Sequence, residues 1–155
     1  MKTIETHASE VLDTINKLIE INHDGKYGFE LASRGVDDAL LRSELMQYSQ
    51  QRHEFADDLR EALADVTGET AVDHGTMAGA LHRGWINIKQ AITSRDRLAI
   101  LSECERGEDA AVHTYEEATR VTLPEQLAAL VLTQLRAVQR VHDRVRALRD
   151  AEQAE

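Results

Sequence analysis

Apolar residues recur every three or four positions along most of this chain, which is the spacing of an amphipathic helix, and the strict alternation of a strand is absent. The first stripe runs from about Thr3 to Ala32 through Ile4, Ala8, Val11, Ile15, Leu18, Asn22, Gly25 and Phe29. Gly25 and Gly28 weaken its last turns, Ser33-Arg34-Gly35 breaks it, and Asp37 or Asp38 is placed to cap the next helix. A second stripe follows at Leu41, Leu45, Tyr48, Arg52, Phe55, Leu59, Leu63 and Val66, and Gly68 closes it. So short a connection between two long helices implies an antiparallel hairpin.

The stretch from 68 to 96 differs. It is glycine-rich and carries a shorter apolar set at Met77, Leu81, Trp85, Ile88 and Ile92, which reads as a loop, a short helix over about 76–92 and a second loop. That length can cross from one end of a bundle to the other. Its Trp85 face packs within the chain or, as an alternative, anchors a homodimer.

Ser94 or Asp96 can cap a third long helix reaching about Arg120, with Leu101, Cys104, Glu105, Glu108, Val112, Tyr115 and Thr119 inward. Thr122-Leu123-Pro124-Glu125 then has capping-box spacing with proline in the first turn, and opens a fourth helix. Its stripe is Leu127, Val131, Gln134, Val138, His142, Val145 and Arg149. Five arginines, at 136, 140, 144, 146 and 149, load its second half, which suits the helix dipole. If the last two helices pair, Glu103 and Glu105 are expected near Arg136 and Arg140.

Composition narrows the class. In 155 residues there are 42% hydrophobic positions, 4% aromatics and one proline, which fits one all-α domain over 1–155. A net charge of −10 argues against nucleic acid and anionic membrane surfaces as partners. The one cysteine, Cys104, lies on an apolar stripe and reads as a buried small hydrophobe in a reducing compartment. With no apolar leader and no run long enough to span a bilayer, the expected location is the cytoplasm.

Two hairpins joined by a long crossover is the ferritin-like plan, as opposed to an up-down-up-down bundle with three short loops. LHRGW at 81–85 and ECERGEDAA at 103–111, together with LIEINHDG at 18–25, resemble a family of small uncharacterised bacterial proteins classed with the ferritin-like superfamily. The resemblance spans nearly the whole chain and implies a four-helix fold, but no established activity. By analogy of fold alone it suggests a stress-related role.

Di-metal proteins of that plan use a Glu from each of two helices and a Glu-x-x-His from each of the others, all inward. Here the only Glu-x-x-His on the first helix is Glu20 to His23, with Glu20 on the outer face. The pattern decays to Gln50-x-x-His53 on the second helix and to Gln139-x-x-His142 on the fourth. Arg52 stands inward where a cation would sit, and a fixed guanidinium both repels a divalent ion and satisfies a carboxylate. The expected site is therefore a buried polar layer of Asn22, Tyr48, Arg52, Glu105, Glu108, Gln134 and His142, centred on an Arg52–Glu108 ion pair.

Two functions follow from different classes. One is a structural or interaction protein without metal, cofactor or catalytic residue, whose protein partner the sequence does not identify. The other is an iron- or manganese-dependent oxidoreductase, or an iron-handling protein, holding its metal with Glu20, His23, Glu105, Glu108 and His142. Phosphate loops, nucleophile elbows and Cys-x-x-Cys pairs are absent from the sequence, which leaves little support for catalysis.

Overall fold

The structure is a computed structural model that describes residues 4–71 and 84–155. Every regular element among them is helical: α1 Ile4–Gly35, α2 Ala39–Thr67, α3 Ile88–Ser94, α4 Arg97–Ala118 and α5 Glu125–Gln153. None of these helices is long and apolar enough to cross a membrane.

The termini follow local chemistry. Asp38 caps α2 by accepting from the amides of Leu40 and Leu41, and Asp96 caps α4 by accepting from Ala99. Gly68 ends α2 in the left-handed conformation, at φ 74°, which a residue with a side chain adopts only with strain. The expected capping box before α5 does not form. Pro124 itself is the N-cap, extended at φ −51° and ψ 146°, and no side chain caps the helix, because Thr122 lies two residues too early. α1 also runs on through Ser33 and Arg34 to Gly35 instead of breaking there.

Four long helices pack as two antiparallel hairpins, α1 with α2 and α4 with α5. Cross-links between them set the register: Asn22 meets Tyr115, Ser49 donates to the Lys26 carbonyl, and Arg144 on α5 pairs with Glu44 on α2. α1 therefore runs antiparallel to both α2 and α4, and α5 antiparallel to the same two, so α2 and α4 are parallel and diagonal. Ala8, expected on the α1 stripe, is exposed, since in this register the first turns of α1 extend beyond the α4–α5 turn. On α4 the buried positions after Glu108 are Ala111, Tyr115 and Ala118, so Val112 is only half-buried and Thr119 is exposed.

The core falls into two apolar clusters. One gathers Val11 to Ile21, Ala56 to Leu63, Ala111 to Ala118 and Leu127 to Val138. The other gathers Phe29 to Val36, Leu41, Leu45, Trp85 to Ala91, Ile100 to Cys104, Val141 and Val145. On α1, α2 and α4 the break between them falls at Asn22–Gly25, Ser49–Arg52 and Glu105–Glu108, where buried polar groups stand.

Trp85 is 1% exposed and lies in the non-helical residues just before α3, so of the helix expected over about 76–92 the described part is helical only from Ile88. Met77, Leu81 and His82 lie outside the described residues. Its indole packs edge-on to Phe29, with centroids 5.0 Å apart, and fills a slot between two helices. A Cβ on Gly28 of α1 or on Gly107 of α4 would fall 2.1 Å from the indole. Both glycines are thus required for the close approach, and an anchor drawn from Trp85 has no free surface to offer a second copy.

Since Trp85 is the only tryptophan in the sequence, Gly107→Ala has a direct optical readout. Overpacking of this kind is expected to destabilise the fold by about 1–3 kcal/mol. It should lower Tm and shift tryptophan emission to the red; an unmoved spectrum and Tm would show that the slot has slack.

Candidate functional site

At the break between the two apolar clusters, Arg52 and Glu108 meet across the bundle diagonal. Nη1 and Nη2 of Arg52 donate to Oε1 and Oε2 of Glu108 at 2.6 and 2.7 Å, a bidentate pair with both side chains at 1% exposure or less. Nε of Arg52 donates to Gln51 Oε1 at 3.2 Å, and the guanidinium lies 5.6 Å from the Phe29 ring centroid. Gly25 makes room for this arrangement. A Cβ there would come within 3.2 Å of Arg52 Cγ and 3.3 Å of Nη1.

A second chain of bonds starts at Asn22 in the same break and crosses the bundle on the side of the first apolar cluster. Asn22 Nδ2 donates to the Leu18 carbonyl and to Tyr115 Oη at 2.7 Å; the Tyr115 hydroxyl donates to Gln134 Oε1 at 2.6 Å; Gln134 Nε2 donates to the Phe55 carbonyl at 3.3 Å. These links visit α1, α4, α5 and α2 in turn, so one buried network ties all four long helices. Burial and the loss of water push the Tyr115 phenol far above its ordinary value, which keeps it a neutral hydroxyl able to donate.

Three of the seven expected layer residues lie elsewhere. Tyr48 is half-buried and donates to Glu44, which Arg144 also holds at 2.9 and 3.1 Å, on the α2–α5 seam. Glu105 faces the α4–α5 seam and pairs with Arg146 and Arg149 at 3.3 and 3.2 Å. His142 stands on the same seam, its Nε2 2.5 Å from Asp109 Oδ1 and its Nδ1 3.3 Å from Asp143 Oδ1. Glu103 pairs with Arg106, not with the expected Arg136 or Arg140. In the antiparallel register those two arginines lie level with the middle of α4, a helical turn or more from either glutamate.

The five residues of the alternative metal set do not converge. Glu108 is saturated by Arg52, and His23 Nε2 lies 2.5 Å from Arg60 Nη2. Glu20 lines a surface groove with Lys17, Ile21, Thr114 and Glu117, while Glu105 and His142 are on the opposite side of α4. The di-metal arrangement therefore does not fit the interior. Glu105 and His142 instead form a trio with Asp109, whose ligating atoms all lie within 4.8 Å of one another.

Sequence reasoning missed Glu103 as a buried group. It is 2% exposed, and its Oε2 accepts from the Asn87 amide at 3.0 Å, beside a cavity of about 370 Å³ lined by Asn87, Gln90, Ser94, Asp96, Glu103 and Arg106. Nothing in the sequence signals a loop amide as its partner. Cys104 is fully buried, and burial, with Glu108 and Glu103 nearby, pushes its thiol above the ordinary range, which favours the neutral thiol.

Residues 10–121 match the family model described as a domain of unknown function, DUF2383. The chain belongs to that family. No curated protein matches it. The DUF2383 span covers all but the first turns of α1 and the whole of α2, α3 and α4, and so contains Asn22, Arg52, Glu108, Tyr115 and the Gly28–Trp85–Gly107 slot; Gln134 and His142 lie beyond it on α5.

Glu108→Gln leaves Arg52 charged and half-paired in the interior, and should cost about 3–5 kcal/mol by thermal or urea unfolding. Replacing both partners, Arg52→Met with Glu108→Leu, should recover most of that loss; equal stability of the single variant and the parent would remove the pair's structural role.

His142 gives a second test. Desolvation lowers its pKa, but hydrogen bonds to Asp143 and Asp109 outweigh that, with Arg146 opposing weakly, and the net shift is upward from 6.5. The folded value exceeds the unfolded one, so the stabilisation is complete below about pH 6 and fades as pH rises through the folded pKa. The Tm advantage of the parent over His142→Gln should accordingly be larger at about pH 6 than at about pH 9; the opposite trend would contradict the pairing.

Proposed function

We propose that residues 1–155 form one ferritin-like domain whose interior has no metal centre, and that it acts as a structural or interaction protein and not as an oxidoreductase. The observation that carries this reading is the Arg52–Glu108 pair. A permanently charged guanidinium takes up both oxygens of Glu108, at the place where a di-metal bundle needs several anionic oxygens converging on two cations.

The topology supports the ferritin-like part. Long helices run up, down, down and up, which requires the segment between α2 and α4 to cross the length of the bundle. The chemistry supports the non-catalytic part. Glu108 is 0% exposed with both oxygens engaged, Tyr115 is bonded on both sides, and Cys104 is a buried neutral thiol, so none of these three groups is poised to meet a substrate. Net negative charge and the ion-paired arginines of α5 favour a protein partner over nucleic acid. A cytoplasmic location is consistent with a single buried thiol.

Elemental analysis of the Asp109→Asn variant tests this, because that change at an exposed position removes the outer His-carboxylate trio and leaves the interior intact. Expressed with iron and manganese supplied and purified without chelators, the variant should be folded and carry far less than one equivalent of either. Near-stoichiometric iron or manganese in it would overturn the reading and restore the oxidoreductase alternative.

A further inference from the structure

The outer trio differs in kind from the interior layer. Glu105 and Asp109 are one turn apart on α4 and so share a face, and His142 reaches the same point from α5 across the seam. A second observation points the same way. Glu105 is only 8% exposed, yet its Oε2 accepts no hydrogen bond; the nearest cation, Nη1 of Arg149, lies 3.2 Å away but off the direction a hydrogen bond needs.

We propose that Glu105, Asp109 and His142 form a mononuclear site on the α4–α5 seam for a divalent first-row transition ion of the zinc type. One imidazole nitrogen and two carboxylate oxygens are the ligands, and water completes the shell. An imidazole in the set selects against calcium and magnesium, which prefer all-oxygen shells, and three protein ligands with an open position is a familiar zinc arrangement.

The distances allow it. Ligand atoms within 4.8 Å of one another can close on an ion about 2.0–2.2 Å from each by small rotations of three side chains. The contact that His142 Nε2 makes with Asp109 is a proton-mediated substitute for the metal-bridged one, and Asp143 at Nδ1 is placed to orient the ring once Nε2 binds a cation. Two arginines compete for Glu105, but both are at the surface, and Arg149 already has Asp150 at 2.9 Å as another partner. Unlike Arg52, they can turn away.

Calorimetric titration of chelator-treated protein with zinc chloride tests the site, with cobalt(II) absorption reporting its coordination. One saturable equivalent, tighter than about 0.1 mM, is expected. Asp109→Asn and His142→Ala should each weaken it at least tenfold, about the smallest loss a missing ligand can give. His113→Ala, which removes the exposed His113–Glu117 pair on the same helix, should leave it unchanged. Absence of saturable binding in that range, binding that survives Asp109→Asn with helix content intact, or loss with His113→Ala would each overturn the proposal.

Discussion

A guanidinium cannot give up its proton, so Arg52 in the middle of a bundle must find an anion or the bundle does not form. Glu108 is that anion, held through both oxygens at 2.6 and 2.7 Å across the diagonal between α2 and α4. Such a pair is sensitive to geometry, because its attraction offsets the desolvation of two charges only when the partners are well aligned. Gly25 leaves the space, Phe29 lies under the guanidinium, and the Asn22–Tyr115–Gln134 chain, ending on the Phe55 carbonyl, ties the four long helices together. Apolar packing alone would tolerate a helix slipping by a turn; two neighbouring polar systems with fixed partners do not.

That constraint shapes what the protein can do. Arg52 closes both oxygens of Glu108 to other partners, whereas the seams between the helices are more open. There the charges are incompletely matched: Glu105 has an oxygen without a hydrogen bond, His142 lies between two carboxylates, and Glu103 borders a cavity. Membership of DUF2383 brings no assigned role with it, which makes the contrast between a closed interior and an open seam the main guide to function.

Much of the arrangement was legible in the chain. Asp38, Asp96 and Gly68 end helices where residues of those types should, since capping is decided within four residues of sequence. The inward placing of Asn22, Arg52, Glu108 and Gln134 follows from the apolar residues on either side of each. What misled was equally specific. Thr122 had the spacing of a cap but not the position, because the helix starts only after Pro124. Trp85 looked like one member of a helical face, and its binding slot comes from two glycines 79 residues apart in the chain, at 28 and 107. Tyr115 looked apolar, and its hydroxyl proved to be the junction of the network.

The division has a physical reason. Periodicity records which side of each helix avoids water, and capping residues record where each helix ends, so the sequence by itself determined an all-helical chain, its long helices and the identity of the central charged residues. Neither signal carries the axial shift between helices. Only tertiary packing decided that Glu105 would meet Arg146 and Arg149, that His142 would face Asp109 instead of the interior, and that two glycines would close on one indole. Those contacts depend on the relative height of separate helices, which is settled by the best joint fit of the whole core.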